Sequence, residues 1–194
     1  WAERIDPGTG RPIENPGIRY QNTQQMFELW PGPQGAHSWL PQAFSPRTGL
    51  LYIPVIELGA LIGPQQPGAV GIGGGMGATL VPDAELPGSR HSFLKAWDPV
   101  AQNLAWSVEL PGVWPGGVLA TAGDLVFNGE GNGYFRAFDA KTGKKLWEFQ
   151  CGAGVNAPAV SYTVNGKQYV AVAAGGNTQL DFKRGNSVFV FALP

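Results

Sequence analysis

Cysteine, histidine and charge are all scarce in this chain. Cys151 is the only cysteine among 194 residues, which excludes an internal disulfide and any local Cys-x-x-Cys haem or zinc motif. His37 and His91 are the only two histidines, and neither has a partner at metal-ligand spacing, so both read as surface or turn residues. Charged residues make up 14% of the chain, and thirteen basic against fourteen acidic side chains leave a formal charge of −1. That balance offers no electrostatic reason for a nucleic-acid or anionic-membrane partner. No stretch approaches the roughly eighteen apolar residues of a membrane-spanning helix, and no amphipathic helical period lasts beyond about two turns. The opening Trp1-Ala2-Glu3-Arg4-Ile5-Asp6 has neither an initiator Met nor the pattern of a signal peptide. It reads as an internal cut, with the chain expected to be the carboxy-terminal part of something longer.

Turn formers and apolar residues are plentiful. With 29 Gly, 17 Pro and 43% hydrophobic residues, the chain is turn-rich, globular and able to bury a core. Its strongest pattern is a repeat. Ala96-Trp97-Asp98-Pro99 leading to Trp106 returns 41 residues later as Ala137-Phe138-Asp139-Ala140 leading to Trp147. A fixed period of that size, with an Asp opening a turn and a Trp closing the next strand, marks stacked or radially arranged β-units. In the second copy, Asp139-Ala140-Lys141-Thr142-Gly143, the carboxylate caps its own turn and Gly143 supplies positive φ. Trp106 and Trp147 read as structural residues that pack between units, and Asp98 and Asp139 as turn caps and not acids.

The rest of the chain fits an all-β reading. Asp6-Pro7-Gly8-Thr9-Gly10 is a degenerate copy of the repeat's turn. Ser45-Pro46-Arg47-Thr48-Gly49 joins two short strands into a hairpin. Regular strands are expected around 93–98, 104–108, 118–121, 124–128, 134–139, 146–150, 157–164, 168–174 and 187–192, with Asn165-Gly166 as a hairpin turn. Between about 59 and 91 the pattern breaks into a Gly- and Pro-rich excursion with Gly71, Gly73, Gly74, Gly75 and Gly77 around Met76. It reads as a surface insertion or a substrate-side lid. Gly73-Gly74-Gly75 has no following Lys-Ser/Thr, so it is not a phosphate loop. Asp181, Lys183 and Arg184 read as a solvated loop, or as the rim of a substrate channel.

Particular motifs point further. Trp114-Pro115-Gly116-Gly117-Val118-Leu119-Ala120-Thr121-Ala122-Gly123-Asp124-Leu125-Val126-Phe127, then Lys144-Lys145-Leu146-Trp147 and Asn165-Gly166-Lys167-Gln168-Tyr169-Val170, resemble the quinoprotein alcohol dehydrogenases. These are periplasmic enzymes that use pyrroloquinoline quinone (PQQ). The resemblance runs over nearly the whole chain. It implies the last few blades of an eight-bladed β-propeller with four-stranded antiparallel sheets and Trp-docking repeats, residues 1–194 forming one arc. It implies oxidation of an alcohol to an aldehyde or ketone by hydride transfer to the quinone, with a calcium or lanthanide ion beside it and a cytochrome-type or other electron acceptor. The family's metal ligands, adjacent-cysteine disulfide and catalytic base match nothing here, so no catalytic or metal residue is assigned to this chain. Remaining blades are expected from a longer precursor, a second chain or self-association, because an open arc leaves strand edges bare.

The resemblance also implies two cofactor-wall segments. Trp114, Gly116 and Gly117 match the loop that contacts a quinone carboxylate, where glycine lets backbone approach and an indole N–H donates. Ser38 and Trp39 match a second contact, where many members carry Asn at the position of Ser38; Ser is shorter and lacks the amide donor. Gly175-Gly176-Asn177 stands where some members have a Gly-Trp-Gly-Gly run. From the residues alone, Trp114 lies between two Pro-Gly pairs and serves either cofactor contact or packing. The alternatives to an enzyme part are a non-catalytic propeller module for binding or assembly and a WD-type scaffold. The latter lacks its Trp-Asp and Gly-His pairs at their usual places.

Overall fold

A computed structural model describes residues 1–18, 26–63, 78–79 and 86–193. The Gly71–Gly77 cluster expected to form an excursion lies outside them. Apart from one three-residue 3-10 turn at Pro16–Ile18, every regular element among the described residues is a β-strand. The all-β expectation holds because apolar residues alternate with period two, or run on in short buried strands, between Gly- and Asp-led turns.

The chain divides into two compact units, residues 1–36 with 57–90, and 37–56 with 91–194. The first holds the hairpin β1 (Ala2–Ile5) and β2 (Pro12–Glu14), and a small sheet in which β6 (Ala60–Ile62) lies between β3 (Phe27–Leu29) and β7 (Ala78–Thr79). The start of the 59–91 segment belongs to this sheet. Ala60 and Ile62 are buried against Phe27 and Leu29, so the segment starts as structured core.

The second unit carries three sheets. The first has the order β4 (Ala43–Ser45), β5 (Leu50–Glu57), β8 (His91–Asp98), β9 (Asn103–Leu110). The second is an antiparallel meander of β10 (Pro115–Ala120), β11 (Leu125–Glu130), β12 (Tyr134–Asp139) and β13 (Lys145–Gln150). The third contains β14 (Val160–Val164), β15 (Lys167–Ala174) and β16 (Ser187–Ala192), the three strands expected between residues 157 and 192.

Alternation makes the middle sheet two-faced. Val126 and Phe138 pack with Leu94, Ala96, Trp106 and Leu110 of the first sheet. One residue out of phase, Phe127, Phe135 and Ala137 pack with Val170, Val172 and Ala174 of the third. Period two thus places one core on each side of a single sheet. Burial also grades across it: β10 begins with four buried residues, whereas β13 is exposed along its length. β10 is therefore the inner strand.

The turns form as their chemistry requires. Asp6, Asp98 and Asp139 each accept hydrogen bonds from the backbone N–H groups two and three residues on, which is the Asx geometry that starts a tight turn. Asn165 and Gly166 both have positive φ, 50° and 78°, as a two-residue hairpin loop of type I′ demands.

The two repeat tryptophans differ. Trp106 is 9% exposed, and its indole N–H donates to the Ala140 carbonyl at 3.0 Å, which also accepts the Tyr52 hydroxyl at 3.0 Å. Gly143 lies against its ring, so close that a Cβ there would sit 2.7 Å from Cε3. Trp147 is 38% exposed and meets Phe191 edge-on with ring centroids 5.0 Å apart. Trp106 lies in the core shared by the first and second sheets, whereas Trp147 is partly exposed beside Phe135, Phe149 and Phe191.

Candidate functional site

β10 enters its sheet irregularly. Its register against β11 jumps between Pro115 and Val118, so the peptides around Gly116 and Gly117 leave the regular ladder and find other partners. The Asn128 side-chain amide on β11 donates to the Gly116 carbonyl at 2.9 Å and to that of Gly117 at 3.4 Å. Gly117 N–H donates to the Asn156 carbonyl at 3.3 Å, and Val118 N–H to the Pro41 carbonyl at 2.9 Å. Both consecutive peptide planes are thereby held at each end, and a buried backbone needs such satisfaction.

Pro41 joins the two predicted wall segments. It lies two residues after Trp39, so its bond to Val118 places the Ser38–Trp39 segment beside β10. Ser38 is half-buried in an irregular stretch, while Trp39 is 61% exposed. The neighbouring His37 is steadied by Nδ1, 2.9 Å from the Pro54 carbonyl oxygen. Trp114 is half-buried immediately before β10. The structure thus sets Pro41, three and two residues after Ser38 and Trp39, against Gly117 and Val118, three and four residues after Trp114.

Two details correct the sequence reading. Gly116 and Gly117 belong to strand β10 and not to a loop. Their small size also serves the protein itself. A Cβ on Gly116 would lie 2.6 Å from the Val155 carbonyl oxygen, and one on Gly117 would lie 2.8 Å from Pro158 and 2.9 Å from Pro41. These glycines admit neighbouring backbone and proline rings. The Ser38 hydroxyl and the indole N–H groups of Trp39 and Trp114 are donors, two of them on flat apolar rings, a chemistry that suits a planar ligand bearing carboxylates.

Residues that the sequence reading passed over lie just behind. Asn128, Glu130 and Asn156 are 0%, 1% and 7% exposed. Asn128 and Glu130 share the face of β11 that carries buried Val126, two and four residues on, and that phase was the available signal. Glu130 Oε1 accepts from Arg136 Nη1, and Arg136 Nε donates to Glu148 at 2.9 Å. Glu148 also meets Lys145 at 2.8 Å; Arg136 first and Lys145 second hold its carboxyl below the usual range. Glu130 Oε2, Asn128 Oδ1 and both polar atoms of the Asn156 amide have no hydrogen-bond partner among the described residues.

The other candidates take ordinary places. His91 Nδ1 pairs with Glu109 Oε1 at 2.8 Å across β8 and β9. Phe182 covers the backbone of Gly131 and Gly154, which anchors the 175–185 loop. An open hollow of about 400 Å³ there is lined by Gly175–Gln179 and Arg184. Among the described residues no group of three or more His, Cys, Asp or Glu could hold a metal ion.

Face-to-face packing of successive antiparallel sheets through shared apolar cores is the build of a β-propeller. A profile of the PQQ family, described as "Glucose/ethanol/alcohol dehydrogenase, beta-propeller domain", matches residues 92–170. The chain is 41% identical over 181 residues to quinohemoprotein alcohol dehydrogenase ADH IIB of Pseudomonas putida, covering 90% of this chain and 25% of that protein. Against the quinoprotein ethanol dehydrogenase of Pseudomonas aeruginosa, identity is 38% over 218 residues, with 100% and 34% covered. The crystal structure of quinohemoprotein alcohol dehydrogenase from Comamonas testosteroni superimposes with a TM-score of 0.82 at 36% identity, over 99% of this chain and 31% of that one. A europium-containing methanol dehydrogenase gives 0.78 at 29% identity, over 91% and 31%. The chain belongs to the PQQ-dependent alcohol dehydrogenase family of β-propellers, and it spans about a quarter to a third of the length of these relatives.

Proposed function

We propose that this chain forms the carboxy-terminal blades of a periplasmic PQQ-dependent dehydrogenase that oxidises an alcohol to an aldehyde or ketone. The observation that carries this reading is the meeting of the Ser38–Trp39 and Trp114–Gly117 segments through the bond from Val118 N–H to the Pro41 carbonyl. When bound, the quinone supplies the hydride acceptor, and a calcium or lanthanide ion held by residues outside this chain makes it a better one. Ser38 and the indole N–H of Trp114 bind and orient quinone carboxylates, and the exposed Trp39 ring shields that side from water. Electrons then leave to a cytochrome-type or other acceptor.

Further blades complete the ring. Val188 and Val190 on β16, out of phase with the Phe189 and Phe191 that pack toward the second sheet, are exposed, and surface of that kind on a propeller sheet is normally covered by its neighbour. Trp106 and Trp147 are then equivalent docking residues of successive blades.

One observation favours the second reading, a non-catalytic propeller module. Packing within the protein accounts for Gly116 and Gly117 without any ligand. A titration of the complete propeller with PQQ and calcium, followed by alcohol-dependent reduction of an artificial dye, separates the two. Saturable quinone uptake with dye reduction supports the dehydrogenase. A protein that takes up no quinone would leave only the module.

A further inference from the structure

We propose that Asn128 is a positioning residue for the cofactor wall, acting through the backbone of Gly116 and Gly117; this rests on the dehydrogenase reading above. Its amide nitrogen reaches two successive carbonyls. In a regular strand those would point to opposite sides; the irregular register between Pro115 and Val118 lets both converge on one donor. The same two peptides donate from their N–H ends to Asn156 and Pro41. Asn128 is therefore the side-chain member of a clamp that otherwise consists of backbone.

The clamp bears on function because of what it joins. Trp114 is two residues before Gly116, and Ser38 and Trp39 lead directly into Pro41. Setting the peptide planes of Gly116 and Gly117 fixes where Val118 N–H meets Pro41, and so fixes the spacing of the two segments. Glycines resist such setting least, since their backbone has the widest conformational freedom. Gly116 and Gly117 must be glycine to admit Val155, Pro41 and Pro158, so their order has to come from an outside donor.

Asn128 does this from a fully buried position, where no water competes for its amide and removing the donor leaves two carbonyls short of a partner. Glu130, on the same face, is held by Arg136, and Arg136 is held in turn by Glu148. The far end of β11 is thereby anchored, which keeps Asn128 aimed at β10.

The test uses the complete propeller and two readouts. Asn128→Leu keeps the branched four-atom shape, at a somewhat larger volume, and removes the donor; Asn128→Ser, smaller, serves if Leu does not fold. Val126→Ala, on the same buried face of the same strand, is the control for loss of stability alone. Hydrogen exchange at the Gly117 and Val118 amides should speed up by at least about tenfold in the Asn128 variants and less in Val126→Ala, whatever the quinone does. The dissociation constant for PQQ, measured by titration well below the melting temperature, should rise about tenfold in the Asn128 variants. It should change less than about twofold in Val126→Ala.

Unchanged exchange at those amides overturns the clamp. Faster exchange with unchanged quinone affinity overturns the positioning role and leaves the dehydrogenase reading standing. If the unsubstituted protein binds no quinone, the dehydrogenase reading fails and the role assigned to Asn128 fails with it, and the exchange data identify that case separately.

Discussion

Replacing each repeat tryptophan by alanine should expose how differently the two are used. They sit 41 residues apart in equivalent strands, so pattern alone assigns them equal weight. Trp106 is 9% exposed and Trp147 38%, a gap of roughly 70 Å² for a side chain of about 250 Å². At about 25 cal/mol per Å² that is close to 2 kcal/mol. Trp106 also donates to the Ala140 carbonyl at 3.0 Å, worth about 1 kcal/mol more. Trp106→Ala should therefore cost about 4 kcal/mol, within the usual range for a buried Trp, and Trp147→Ala about 1 kcal/mol. Urea unfolding of the 194-residue chain, followed by circular dichroism with unchanged m-values, reads both. Costs within about 1 kcal/mol of each other would refute the argument from burial.

Gly143 and Gly49 share a φ of +72°, but a Cβ on Gly143 would press on the Trp106 ring, whereas one on Gly49 meets nothing within 4 Å. Gly143→Ala should cost about 2–3 kcal/mol and Gly49→Ala about 1 kcal/mol by chemical denaturation, the first adding steric pressure to the conformational strain both suffer. The Thr142 hydroxyl above all, then its backbone N–H, holds the Asp139 carboxyl below the usual range, and Arg47 foremost does the same for Asp124. A depressed carboxylate stabilises the fold fully above its unfolded pKa and less as pH falls through the folded value, so stability should decline below about pH 4. Asp139→Asn should make that decline shallower in a pH series of thermal melts; an unaltered slope refutes the assignment. Burial pushes the Cys151 thiol up, so it should react slowly with a thiol reagent at pH 7 in the native protein and fast in denaturant.

Local chemistry was legible throughout the chain. The Asp-led turns, the Asn165-Gly166 hairpin and strands such as Tyr134–Asp139 and Ser187–Ala192 follow from short-range rules: a carboxylate capping the next two amides, positive φ, and alternating apolar side chains. The same alternation places Val126 with one core and Phe127 with the other. The family was legible too, because the combination of motifs from Trp114 to Val170 is long and specific.

Long-range partners were not. Nothing local distinguishes Trp106 from Trp147, since each depends on what another segment lays over its ring. The sequence suggested that Gly116 and Gly117 make room for a ligand, but their neighbours proved to be Val155, Pro158 and Pro41, each at least 38 residues away along the chain. Asn128 looked like one polar residue in a strand until the irregular register of β10 turned two carbonyls toward it. Local rules act through the backbone of a few residues and can be read from their order. Burial, partner choice and the aim of a side chain are settled by segments that meet only when the sheets stack.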